Sequence, residues 1–325
     1  MPKISRRSFI QNVTAVSIAG CAKSTDKNQP PDTREPIEPI TPADTFYITS
    51  YAPPPDEEWI DNWSLHITGL DGDDLILTLG DLQSLASEEI EHTLECISNA
   101  SFYAISNGTW RGVRFQDLLN HFEASHSQSH INMYCGEGYS TSLPASVIDD
   151  GMALVWTLNG EPLTVPHGKP VRMLVPGRFG MKNPKWIERI ELTEEPELGF
   201  WESRGWSNSA HYLLHSWIHA PTRGDKVSQG GADLIGSAFF GSEGIAKVEI
   251  SDDEGETWNE CEITYAGGPN VWTLWRYRWV PAFVGMYTLM VRATAPDGTV
   301  QEDGPAADSE LDGYEALHRI QVFVE

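Results

Sequence analysis

The sequence predicts an α+β domain followed by an all-β, immunoglobulin-like sandwich domain. Three observations carry this expectation. The chain has 325 residues, more than one ordinary hydrophobic core requires, so about two domains are expected. From about residue 44 to residue 207, strand-length apolar runs alternate with runs at helical spacing. From residue 208 to residue 325 the runs become short and alternating, and Gly and Asp turns separate them.

The elements follow in chain order. "WSLHITGL" (63–70) alternates as a half-buried strand does. "LILTLGDLQSLA" (75–86) reads as a strand turning into a helix, with Asp81 near the helix start, where a carboxylate suits the dipole. A strand leads into Cys96. In "WRGVRFQDLLNHFEA" (110–124) apolar residues recur at helical spacing after Val113. "INMYCGEGYSTSLP" (131–144) is strand-like with a Gly-rich break. "VRMLVPGRFGMKNPKWIERIEL" (171–192) is a buried strand, a Gly/Pro/Lys-rich loop and a second strand. In the C-terminal part, "VEISDDEGETW" (248–258) reads as a hairpin closed by acidic and Gly turn residues.

Composition narrows the function. Hydrophobic residues make up 40% of the chain, enough for real cores, and the formal charge is −25. No basic footprint for nucleic acid exists. A negative surface can dock a basic partner or simply keep the protein soluble. Of the four cysteines (Cys21, Cys96, Cys135, Cys261) none forms a CxxC pair or a CxxCH haem-attachment string. Cys261 reads as core.

The first residues read as an address. "SRRSFI" around Arg6 and Arg7 resembles a twin-arginine export signal, and "IAGC" resembles a lipoprotein cleavage box that makes Cys21 the lipidated first residue. Residues 1–20 are thus expected to be a signal and residues 21–43, polar and Pro-rich, a linker. Apart from the signal, no segment is long enough to span a bilayer. The expectation is an exported, periplasmic bacterial protein held to the membrane by lipid. With Cys21 lipidated, an odd number of cysteines remains, which does not indicate a disulfide framework.

Two stretches invite a chemical reading. Cys96, at the end of a strand in "HTLECISNAS" (92–101), is either a buried small hydrophobe or a sulfur held for chemistry. "HGKPVR" (167–172) and "GMKNPKW" (180–186) cluster Lys and Arg on Gly-containing loops in an acidic chain. Such a loop serves equally as a solvated turn or as an anion cradle, where Arg offers a planar fork, Lys a point charge and Gly a close approach of backbone N–H.

Taken together, "TLECISN", "GTWRGVRFQDLL", "GYSTSLP", "LNGEPLTVPHGKPVRMLVPGRFGMKNPKWIERIEL" and "GFWESRGWS" resemble the sulfite oxidase-like molybdenum enzymes over about residues 46–207. "GSAFFGSEGIAKVEIS", "GETW" and "VRATAPDG" resemble that family's immunoglobulin-like dimerisation domain. The resemblance implies a sulfite oxidase-like molybdopterin-binding domain carrying a molybdenum-molybdopterin cofactor, with Cys96 as the metal ligand. A soft thiolate at a strand end can hold a redox metal rigidly. It implies cofactor contacts from His167 and Arg172, and from Lys182, Asn183 and Lys185 on the Gly loop. Asn99 orients the Cys96 loop or merely caps it. Ser50 and Tyr51 fall where the family reaches the cofactor.

The chain also departs from the family. In "FYITSYAPPP" (46–55) the residues Thr49, Ser50 and Tyr51 stand where the family has Arg-Asn-His, and Thr49 supplies no charge for an anionic substrate. Trp206 stands in place of the active-site Tyr and has no titratable hydroxyl. Arg204 and Arg178 are the remaining candidate anion contacts, or else junction salt bridges; Arg204 and Trp206 complete the candidate catalytic set with Cys96. What the resemblance implies is two-electron oxygen-atom transfer on a small sulfur oxyanion, no haem of the chain's own, electrons passed to an external cytochrome c or a membrane haem or quinone-linked partner, and a homodimer. The rival readings are an exported sulfoxide-type reductase with the same cofactor, favoured by Thr49, and a non-catalytic lipid-tethered binding module.

Overall fold

A computed structural model describes residues 37–99, 104–303 and 311–325. The expected signal, the Cys21 lipidation site and the first part of the linker lie outside the described residues. Residues from Thr33 onward belong to one compact unit.

Two sheets build the N-terminal part. In the first, Leu65–Thr68 pairs in parallel with Ile187–Thr193 and antiparallel with Leu75–Leu77, and His130–Cys135 and Ser140–Pro144 extend the other side as a hairpin. In the second, Glu88–Glu95, Ile105–Arg114, Ala153–Leu158 and Glu161–Pro162 run antiparallel in that order, and Arg172–Leu174 adds onto Ala153–Leu158. An apolar layer containing Leu65, Ile67, Met133, Ile190, Val113, Met173 and Val175 fills the space between sheets and helices. Each such side chain contributes roughly 1.5–3 kcal/mol on full burial.

Helix is scarcer than the α+β expectation implies. Among the described residues the α-helices are Glu57–Asp61, Leu79–Ser84 and Phe115–His121, none beyond two turns. The reason is local. Leu79–Ser84 begins in a capping box, with Thr78 N donating to Asp81 Oδ2 at 2.8 Å and Asp81 N to Thr78 Oγ1 at 3.3 Å. It ends where Leu85 turns back into extended backbone. Phe115–His121 buries Phe115, Leu118 and Leu119 on one face and stops at Phe122. Most of the apolar periodicity before it belongs to the strand Ile105–Arg114.

The C-terminal part is a pair of sheets around a core of their own. One has the order His215–Ala220, Ala232–Phe239, Thr273–Trp279, Glu262–Tyr265; the other has Lys226–Val227, His318–Val324, Gly285–Thr294, Lys247–Ser251, Asn259–Glu260. Leu234, Ala238, Val248, Trp275, Leu289, Val291 and Val322 meet between them, with Cys261 at the same core. The acidic hairpin is present: Glu249 pairs with Glu260 and Ile250 with Asn259.

A seam joins the two parts beside the strand that carries Cys96. Thr93 N donates to Asn270 O at 2.8 Å, and Trp272 N donates to Thr93 Oγ1 at 2.9 Å. Ile97, Ile105, Phe179, Tyr212, Phe239 and Trp272 pack there as one cluster. No helix among the described residues is long and apolar enough to cross a membrane.

Candidate active site

Cys96 follows the strand Glu88–Glu95 directly. Its backbone N–H donates to Ala104 O at 2.9 Å, and its carbonyl accepts from Asn99 N at 3.0 Å, closing a turn. Asn99 is buried and spends its side chain on this turn: Oδ1 accepts from Ala104 N at 3.0 Å, and Nδ2 donates to Glu95 Oε1 at 3.1 Å. The turn is therefore rigid, and Asn99 holds its shape. The Cys96 thiol itself is half-buried and free, unlike the buried thiols of Cys135 and Cys261.

Behind the turn, Glu95 faces residues of the C-terminal part. His215 Nε2 lies 3.4 Å from Glu95 Oε1, and Glu95 N donates to the Tyr212 hydroxyl at 3.4 Å. Burial raises the Glu95 carboxyl above the ordinary range, and His215 pulls it partly back. Neither His215 nor Tyr212 carries a sequence signal, because both come from beyond residue 207 and reach the site only through packing. Tyr47 is another residue the motif reading missed. Burial pushes its phenol up, with the neighbouring Cys96 thiolate next in weight, while Arg172 pulls it down. Its place in "FYITSY", two positions before Thr49, was the available hint.

A cationic cradle forms from residues far apart in sequence. Lys185 Nζ donates to Ser50 Oγ at 2.6 Å and to Pro166 O at 2.9 Å, and lies 4.4 Å from the centre of the Trp186 ring. Arg172 is buried; its Nη1 donates to His167 O at 3.4 Å and its Nη2 to Asn183 O at 3.2 Å. His167 Nε2 donates to Ala43 O at 3.0 Å, since a carbonyl can only accept. Burial, then the charge of Arg172, pulls His167 down to about 4, so the ring is neutral. Gly168 is what lets these meet. Its φ is +106°, and a Cβ there would stand 3.1 Å from the Cβ atoms of both Arg172 and Lys185. Gly180 likewise leaves room: a Cβ would lie 2.8 Å from Tyr47 Oη and 3.2 Å from Glu95 O.

Other candidates lie outside this cradle. Lys182 is fully buried but turned to Glu202, with which it forms an ion pair; it also donates to Thr141 Oγ1 at 3.0 Å and Ser142 O at 2.9 Å. This corrects the expectation of a cofactor-facing Lys182: its ammonium is spent on a buried carboxylate of its own chain. Asn183 also acts inward, with Oδ1 accepting from Val175 N at 2.6 Å and Nδ2 donating to the carbonyls of Arg178 and Phe179. Only its carbonyl touches the cradle, through Arg172. Tyr51 packs on Phe200 at 4.2 Å, and Arg204 stacks on the same ring at 3.4 Å, exposed and donating to Phe200 O at 2.7 Å. Arg204 is thereby set on a surface aromatic. Trp206 packs beside the seam cluster, 5.9 Å from Trp201, with its Nε1 buried and without a partner. Thr49 is exposed.

The donor set suits a flat anionic cofactor. Cations at Arg172 and Lys185, a neutral His and close backbone at Gly168 and Gly180 surround one region, and Arg172 Nε is buried with no partner. Among the described residues no group of three or more His, Cys, Asp or Glu could hold a metal. A metal at Cys96 therefore takes its other ligands from the cofactor or solvent.

Comparison with known proteins agrees with this geometry. The family model described as "Oxidoreductase molybdopterin binding domain" matches residues 51–201. The mitochondrial sulfite oxidase of Macaca fascicularis is 29% identical over 88% of this chain and 62% of its own length. This chain thus spans 62% of that relative. The uncharacterized oxidoreductase YuiH of Bacillus subtilis is 30% identical over 44% of this chain and 72% of its own. Among solved structures, the sulfane dehydrogenase SoxCD from Paracoccus pantotrophus superposes with a TM-score of 0.75 at 22% identity, over 88% of this chain and 83% of that one.

Proposed function

The chain belongs to the sulfite oxidase-like family of molybdopterin-dependent oxidoreductases, and on that premise we propose that it is an exported, lipid-tethered enzyme acting on a small sulfur oxyanion. In the oxidising direction an oxygen atom from water is added to sulfur, while two electrons and two protons leave. The cofactor, when bound, supplies the oxygen-atom and electron transfer. The chain's own residues supply the rest. Cys96 offers the thiolate that holds the metal, and the Asn99 turn fixes where that sulfur points. Arg172, Lys185, Ser50 and His167 hold the anionic and hydrogen-bonding parts of the cofactor.

One observation carries the reading: a half-buried free thiol stands on a rigid turn beside an all-cationic cradle. A sulfur substrate is supported by the sulfite oxidases among the relatives. We include in the proposal an immunoglobulin-like type for the sheet pair of residues 208–325, a homodimer, a periplasmic location and an external cytochrome as electron partner. The acidic chain, at −25, is suited to a basic cytochrome.

The test is metal analysis of the exported protein beside a Cys96→Ala variant, followed by turnover with sulfite and ferricyanide. The reading expects about one molybdenum per chain in the natural protein, loss of it in the variant, and sulfite-dependent ferricyanide reduction only in the former. Molybdenum without sulfite turnover overturns the substrate, and protein lacking molybdenum in a well-loaded preparation overturns the cofactor.

A further inference from the structure

The side chain of Arg178 is nine-tenths buried, at 9% exposure, yet its Nε and Nη1 have no hydrogen-bond partner and no carboxylate among the described residues comes within ion-pairing distance. A guanidinium does not shed its proton, so this is a permanent charge stored without a counter-charge, in a chain with 47 acidic residues. Its electrostatic neighbours are Lys182, already spent on Glu202, the exposed Asp150, and His211, whose backbone bridges that of Arg178. Burial weakens the Arg178 charge more than Asp150 supports it.

Arg178 also sits close to the chemistry. It lies two positions before Gly180, which abuts the Glu95 carbonyl next to Cys96. Its neighbour Phe179 packs in the seam cluster with Ile97, next to Cys96 on the other side, and with Ala210. Trp206 packs against the same cluster and brings a second buried donor without a partner, its Nε1. Two unsatisfied donors and no unsatisfied carboxylate of their own is the complement of an oxygen-rich anion.

We propose that Arg178, with Trp206 Nε1 as a second donor, is the recognition site for a small oxyanion beside the cofactor, supplying the charge that Thr49 lacks. The proposal rests on the cofactor reading above and names the residue that selects its substrate. An oxyanion held here neutralises Arg178, which explains why a buried cation is kept with no internal partner.

The test uses the full-length, cofactor-loaded protein with sodium sulfate as the probe. Sulfate affinity is measured by calorimetry, and melting temperature with and without sulfate, for the natural protein, Arg178→Met and Arg178→Lys. Sulfate affinity is expected to fall roughly tenfold or more in Arg178→Met and to recover in part in Arg178→Lys. Without sulfate, Arg178→Met is expected to melt at the same or a higher temperature, because an unpaired buried charge has been removed. Where sulfite is turned over, KM rises at least tenfold while kcat changes far less. Sulfate binding unchanged in Arg178→Met overturns the proposal. So does a lower melting temperature without sulfate that Arg178→Lys restores, since that assigns the charge to the fold. Molybdenum content, measured on every sample, separates failure here from failure of the cofactor reading.

Discussion

Lys185 Nζ and Ser50 Oγ meet at 2.6 Å across 135 residues of sequence. The ammonium has only neutral acceptors, this hydroxyl and the Pro166 carbonyl, and burial followed by the charge of Arg172 pulls it down to about 7. Two cations brought together without an ion-paired acid are held ready for an anion from outside the chain. Lys185→Met is therefore expected to lower cofactor content per folded chain by roughly tenfold, and Ser50→Ala by less, because a hydroxyl carries no charge. Molybdenum and phosphate analysis of purified protein checks both.

The buried pair Lys182–Glu202 makes the opposite prediction. Removing one partner strands the other, so Lys182→Met is expected to cost about 3–5 kcal/mol. The double variant Lys182→Met/Glu202→Gln recovers most of that loss. Chemical denaturation measures the stability, and molybdenum content per folded chain stays unchanged in the double variant. A loss of cofactor in that variant returns Lys182 to the cradle.

Acid stability follows from three buried histidines. Burial is the leading cause that pulls His92 and His318 to about 3 and His167 to about 4. Each is ordinary in the unfolded chain, near 6.5. Below that pH the unfolded chain binds protons that the native state refuses, so their stabilising contribution is present above about 6.5 and is lost as pH falls toward 3–4. The melting temperature is expected to drop through this window, and His167→Gln to make the drop shallower. Thermal melts from pH 7 to pH 4 decide this.

The loop Val280–Met286 carries no charge in a strongly acidic chain, and Val280, Phe283, Val284 and Met286 are exposed, with Phe323 paired beside Met286. Such a patch favours a second copy, since two neutral surfaces can meet where the rest of the molecule repels its like. Phe283→Asp is expected to convert the proposed homodimer to monomer. Light scattering on the eluting protein reads this directly, and an unchanged mass removes the patch from the interface.

Much of the site was legible because its chemistry is carried by residue types in short windows. Cys96 in "TLECISN", His167, Gly168 and Arg172 in "HGKPVR", and Lys185 in "GMKNPKW" are adjacent or nearly so, and local spacing with the family resemblance was enough to pick them out. Lys182 was misread because the same window does not say which way a side chain turns. The α+β expectation held only coarsely, since short capped turns such as Leu79–Ser84 gain their stability from burial against the sheets rather than from length.

By itself, the sequence determined that this chain carries one exposed-strand-end cysteine, a Gly-spaced basic cradle and a second strand-rich half, because those are properties of residue type and period. Only the tertiary structure decided that Lys182 is consumed by Glu202, that His215 and Tyr212 back the Cys96 turn, and that Arg178 is buried without a counter-charge. The physical reason is that charge pairing and desolvation depend on distance through space, and here the deciding partners come from different parts of the chain.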